Sequence, residues 1–142
     1  MLSASGARPG NEIAYSMTPE DPKPRVLIVD DERMIADTLA IILNQNGFDA
    51  TVAYSGEQAV ELALGLKPAM LLSDVIMGRM NGIEAAIQIT KENPECKVLL
   101  FSGQPAVAEM LESAARSGHR FSILAKPVHP AAILKELQDM KN

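Results

Sequence analysis

Cysteine, basic charge and long apolar runs are all scarce in this chain of 142 residues. The single cysteine, Cys96, excludes an internal disulfide and suits a reducing compartment. Its plain reading is a small residue near the start of a strand. The net charge is −5, and Lys and Arg never cluster. Nothing here is built to neutralise phosphates, so non-specific nucleic-acid binding is not expected. The longest unbroken apolar run is Leu39–Leu43, too short for a membrane span. The N-terminus also lacks the apolar stretch of a signal peptide. Together these shortages lead to the expectation of a cytoplasmic protein without membrane partners.

What remains is an ordinary globular balance, with 47% apolar and 22% charged residues. The length favours one domain with a real core. Residues 1–24 read as a flexible tail, rich in Ser, Gly and Pro with little to bury. A domain over 25–142 follows.

From Arg25 onward, short aliphatic runs alternate with segments of helical period. Val26–Val29 reads as a strand that is apolar on both faces. A helix follows from about Glu32 to Asn46, with Ile35, Leu39 and Ile42 as its stripe and Gly47 as its stop. "DATVAYS" alternates as a strand, and "GEQAVELALGLKP" returns to helix with Val60, Ala63 and Leu64 facing inward. "AMLLSD" is a third strand, and "NGIEAAIQITKENP" a helix stopped by Pro94. "KVLLFS" is a fourth strand, before a helix with Val107, Met110, Leu111 and Ala114 on one face. "RFSILA" is a fifth strand. Pro130 then opens a last helix carrying Ile133, Leu137 and Met140, with His129 as a turn or cap residue. Five βα units in a row predict an α/β fold, an open parallel sheet with helices on both faces.

Ligands in such sheets bind beyond the carboxyl ends of the strands. The residues there are Asp30 and Asp31 after the first strand, Asp74 after the third, Ser102 after the fourth and Lys126 after the fifth. Three converging carboxylates repel one another unless some stay protonated or a hard cation sits among them. Oxygen ligands without His or Cys fit Mg²⁺. A lysine and a hydroxyl across the same edge suit an anion with several oxygens, such as a phosphoryl group. A carboxylate can accept that group as an acyl phosphate, and Asp74, alone on a central strand, is the natural acceptor. Each residue also has a plainer role: Asp31 as a helix N-cap, Asp30 and Asp74 as turn residues, Ser102 as a helix start, Lys126 as a surface lysine.

"VLIVDDE", "LLSDVIMGRMNGIE", "VLLFSG" and "ILAKPV" together resemble the strand ends of the receiver domain of two-component response regulators. The resemblance covers roughly Arg25 to Asn142 and is closest in kind to the single-domain chemotaxis form. It implies a doubly wound, flavodoxin-like sheet of five parallel strands in the order 2-1-3-4-5. It implies that Asp74 takes a phosphoryl group from a sensor histidine kinase or a histidine phosphotransfer protein. Asp31, Asp74 and the backbone carbonyl of Ile76 would ligate Mg²⁺, with Asp30 acting through a water. Lys126 and Ser102 would bind phosphoryl oxygens, and the Lys126–Pro127 bond would be cis. The output would be a change in the face made by the fourth helix, fifth strand and fifth helix, read by a downstream protein. Catalysis would be limited to self-phosphorylation and self-dephosphorylation. With little sequence after the last helix, a stand-alone receiver or a domain of something larger is expected.

The chain departs from the family's pattern in three places. Gly78 stands where proline is usual, Ser102 where threonine is commoner, and Ile123 at a readout position that is usually aromatic. Phe121, two residues before Ile123, could substitute if the strand register allows it. Other function classes fit less well. A phosphatase of the haloacid dehalogenase kind separates its two acids by one residue, whereas Asp30 and Asp31 are adjacent. A nucleotide-binding fold needs a glycine-rich turn where this chain has "DDERM". A module that binds partners without phosphorylation would have no use for the full acid, hydroxyl and lysine set.

Overall fold

The computed structural model describes residues 22–103 and 107–141. Nearly all of the tail expected at 1–24 lies outside the described residues. Ten elements alternate without exception: β1 (Arg25–Val29), α1 (Arg33–Asn44), β2 (Asp49–Ala53), α2 (Gly56–Leu66), β3 (Met70–Asp74), α3 (Gly82–Glu92), β4 (Lys97–Ser102), α4 (Val107–Arg116), β5 (Ser122–Ala125) and α5 (Pro130–Lys141). The strands pair in parallel in the order β2-β1-β3-β4-β5.

This order follows from burial and handedness. β1 and β3 are buried at every position but Arg25, so both of their faces need a cover. Right-handed crossovers put a helix on one face when the chain steps one way and on the other when it steps back. The chain steps from β1 outward to β2, then returns past β1 to β3, β4 and β5. Alternate residues of each strand therefore join different cores. Leu27, Val29, Leu71 and Leu100 pack with residues of α2, α3 and α4. Val26, Ile28, Leu72 and Leu99 pack with residues of α1 and α5. The reversal of direction lies between β1 and β3, and the crevice of such a sheet opens at that point.

Local chemistry sets the helix ends. Ser55 caps α2 by accepting the Gln58 N–H at 3.0 Å. Asn81 and Glu84 form a reciprocal capping box at α3, with bonds of 2.8 and 2.9 Å. His129 precedes α5 and accepts the Ala131 N–H on Nδ1 at 3.2 Å.

Four expectations need correction. Leu64 does not face inward but is 58% exposed; the buried stripe of α2 is Gly56, Ala59 and Ala63, small residues that let the helix lie close to the sheet. Leu64 sits one helical step round from Ala63, on the solvent side. In α1 the fully buried face is Ala36, Leu39 and Leu43, with Ile35 and Ile42 at its margins. The second strand ends at Ala53, because the Tyr54 N–H turns to Gln58 Oε1 at 2.7 Å. The fifth starts at Ser122, and Phe121 just before it packs against the core and stacks on the His119 ring, centroids 6.2 Å apart. Register pairs Ile123 with Leu100, and Phe121 lies just before β5, at the end away from the acids.

Two substitutions separate core from surface. Leu43→Ala, at a fully buried site, is expected to cost about 2–5 kcal/mol. Leu64→Ala should stay within about 0.5 kcal/mol of the parent. Urea midpoints at equal slope check both, and equal losses would refute the assignment of the α2 face.

Candidate functional site

The carboxyl ends of β1 and β3 lie side by side, since Val29 pairs with Ser73. The next residues, Asp30, Asp31 and Asp74, therefore meet at one edge, with a ligand oxygen from each within 4.8 Å of the others. Asp30 is fully buried, Asp74 is 6% exposed, and Asp31 faces solvent. One oxygen of Asp30, Oδ1, accepts the Glu32 N–H at 2.9 Å. Its other oxygen, Oδ2, is buried without a hydrogen-bond partner among the described residues. The N-cap of α1 is Glu32 rather than Asp31, and its side chain makes no capping bond. The plain capping role for Asp31 thus falls away.

Lys126 follows the last residue of β5 and reaches back over the edge. Its Nζ lies 3.3 Å from Asp74 Oδ2 and 5.3 Å from the Phe101 ring centroid. Its backbone N–H donates to the Ser102 carbonyl at 2.9 Å, which ties the end of β5 to the end of β4. Ser102 is buried, one residue beyond Phe101, the register partner of Asp74. The Lys126–Pro127 peptide is cis. Ile76 lies two residues past Asp74 with its side chain half exposed, and Ile123 is 39% exposed on β5.

Burial governs the electrostatics. Loss of water pushes the Asp30 carboxyl up to about 6, with the Glu32 N–H opposing and Asp74 adding to the rise. Desolvation also raises Asp74, against the pull of the Lys126 ammonium and the Val75 N–H. One lysine thus offsets part of the charge of three carboxylates. The buried, partnerless Asp30 oxygen and the all-oxygen donor set fit a hard divalent cation.

Two residues beside the site escaped the sequence reading. Ser73 is a fully buried hydroxyl after three apolar residues of β3, and its Oγ donates to the Asp74 carbonyl at 2.8 Å. Gly82 begins α3 against that same carbonyl, and a Cβ there would fall 2.1 Å from it. A polar residue inside an apolar run, and a glycine at a capped helix start, were the available signals.

Residues 26–138 match the sequence model of the response regulator receiver domain. The chain belongs to this family. Accepting a phosphoryl group within two-component systems is the family's role. Chemotaxis protein CheY of Thermotoga maritima is 33% identical over 114 residues, which span 80% of this chain and 93% of that protein. Response regulator MprA of Mycobacterium ulcerans is 31% identical over 85 residues, 60% of this chain, but the match spans only 37% of MprA. Among solved structures, response regulator TrrA of Thermotoga maritima, in complex with Mg²⁺ and BeF, has the same fold. Its TM-score is 0.71 at 23% identity, with 82% of this receiver chain and 98% of that chain covered. No helix among the described residues of this receiver is long and apolar enough to cross a membrane.

The raised Asp30 value fixes a sign. A carboxyl whose folded value exceeds its unfolded one contributes stability at low pH and loses it as pH rises through the folded value. Metal-free protein should therefore gain stability as pH falls through about 6 toward 3.8. Asp30→Asn should flatten that gain and raise stability at neutral pH by about 1–3 kcal/mol. Melting temperatures of both proteins across this range, in chelator, are the check. Parallel curves would contradict the assignment.

Proposed function

We propose that Asp74 is the phospho-acceptor of a Mg²⁺-dependent switch, charged by a sensor histidine kinase or a histidine phosphotransfer protein. The observation that carries this is the 3.3 Å approach of the Lys126 ammonium to a buried Asp74 carboxylate flanked by two further acids. An Asp74 oxygen attacks phosphorus, the bond from phosphorus to the donor imidazole nitrogen breaks, and its electron pair returns to the ring. Lys126 leaves its ion pair with Asp74 to take a phosphoryl oxygen, and the Ser102 hydroxyl donates to another. Asp31 and Asp74 would hold Mg²⁺ with the Ile76 carbonyl, and Asp30 would act through a water. The ion, when bound, supplies positive charge to the phosphoryl oxygens.

Readout runs through β4 and β5. Ser102 and Lys126 are joined by a backbone hydrogen bond, so drawing both toward a phosphoryl group moves two strand ends together. The affected face comprises α4, β5 and α5, with Ile123 at its exposed centre, and a downstream protein reads the change. Catalysis is confined to phosphoryl acceptance and self-dephosphorylation, in a cytoplasmic domain spanning 25–142.

Asp74→Asn should abolish labelling by a small phosphodonor, because the amide is no nucleophile; undiminished labelling of the variant would sink the assignment. Amide NMR with Mg²⁺ and beryllofluoride tests the switch. Shifts should begin at Asp74 and spread to Ser102 and Ile123. Shifts confined to the acids would mean a charged site without readout, and no Mg²⁺-dependent change would favour phosphorylation-independent binding.

A further inference from the structure

The peptide unit joining Asp74 to Val75 is held at both ends. β1 offers Asp74 no register partner, because that pairing stops at Val29 and Ser73. A buried carbonyl beyond the end of a neighbouring strand must find its donor elsewhere. The Ser73 hydroxyl serves, donating to the Asp74 carbonyl at 2.8 Å. Gly82 closes over the pair: a Cβ at that position would lie 2.1 Å from the carbonyl oxygen and 2.9 Å from Ser73 Oγ. Gly82 also donates its N–H to the Val75 carbonyl at 2.7 Å. At the other end of the unit, the Val75 N–H donates to the Phe101 carbonyl at 3.1 Å and favours the ionised Asp74 side chain.

We propose that Ser73 is a positioning residue for phosphoryl acceptance, its hydroxyl fixing the Asp74–Val75 peptide plane against the bare Cα of Gly82 and so aiming the Asp74 carboxylate. The inference rests on Asp74 being the acceptor. Phosphoryl transfer depends on in-line placement of the attacking oxygen, and small misplacements cost large factors in rate. Without the hydroxyl the carbonyl loses its donor, the plane can tilt, and the Val75 N–H swings with it.

Ser73→Ala removes the hydroxyl with almost no change in volume. At saturating Mg²⁺, labelling by acetyl phosphate should slow about tenfold. In the unphosphorylated protein, the Val75 amide and the Asp74 carboxyl ¹³C resonances should both move. Labelling within about twofold of the parent overturns the proposal, as do unmoved resonances at Val75 and Asp74. A parent chain that labels no better than Asp74→Asn would instead refute the acceptor assignment. The resonances of Ser73→Ala would still judge the contact on their own.

Discussion

The burial of negative charge at the carboxyl edge of the sheet is the constraint on which this protein turns. Two of the three carboxylates are withdrawn from water, and a single ammonium stands against them. Each feature around them answers that imbalance. Lys126 is brought in from the opposite side of the crevice, Glu32 lends a backbone N–H, and one Asp30 oxygen is left without a partner. A fully satisfied cluster would be inert. This one is held short of neutrality, so further positive charge lowers its energy.

Position matters as much as charge. The acids converge because β1 and β3 are neighbours although β2 intervenes in sequence, and that adjacency follows from the crossover geometry of parallel strands. The lysine arrives two strands away because β4 and β5 continue in the same direction. No residue of the cluster lies close in sequence to all the others. The sheet, rather than any local motif, makes them one site.

Most of this could be read from the residues. Apolar tetrads such as "VLIV" and "AMLL" have no amphipathic alternative, so the buried strands were legible, while their order in the sheet was implied by the family resemblance. The polar residues ending them were therefore legible too. The miscalled features share one cause: each depends on a contact that crosses elements. Leu64 and Ala63 are equally suitable as inward residues by period, and only the closeness of α2 to the sheet selects the small one. Phe121 fits a strand by propensity, yet it lies just outside the β5 ladder, where it packs on the core and the His119 ring. Ser73 drew no reading from the sequence, since only the Asp74 carbonyl beneath Gly82 gives its hydroxyl a task.

The sheet divides the interior into two cores that share no side chain: one beneath α2, α3 and α4, the other beneath α1 and α5. A partition of this kind uncouples the histories of the two faces. Side chains on opposite sides of one strand do not touch, so the energetic effects of changes in the two layers should simply add. The helices above one core can diversify while the other is preserved. A lineage could thus remodel its α4 surface for a new listener without disturbing the α1 and α5 layer that supports the opposite face of the same strands.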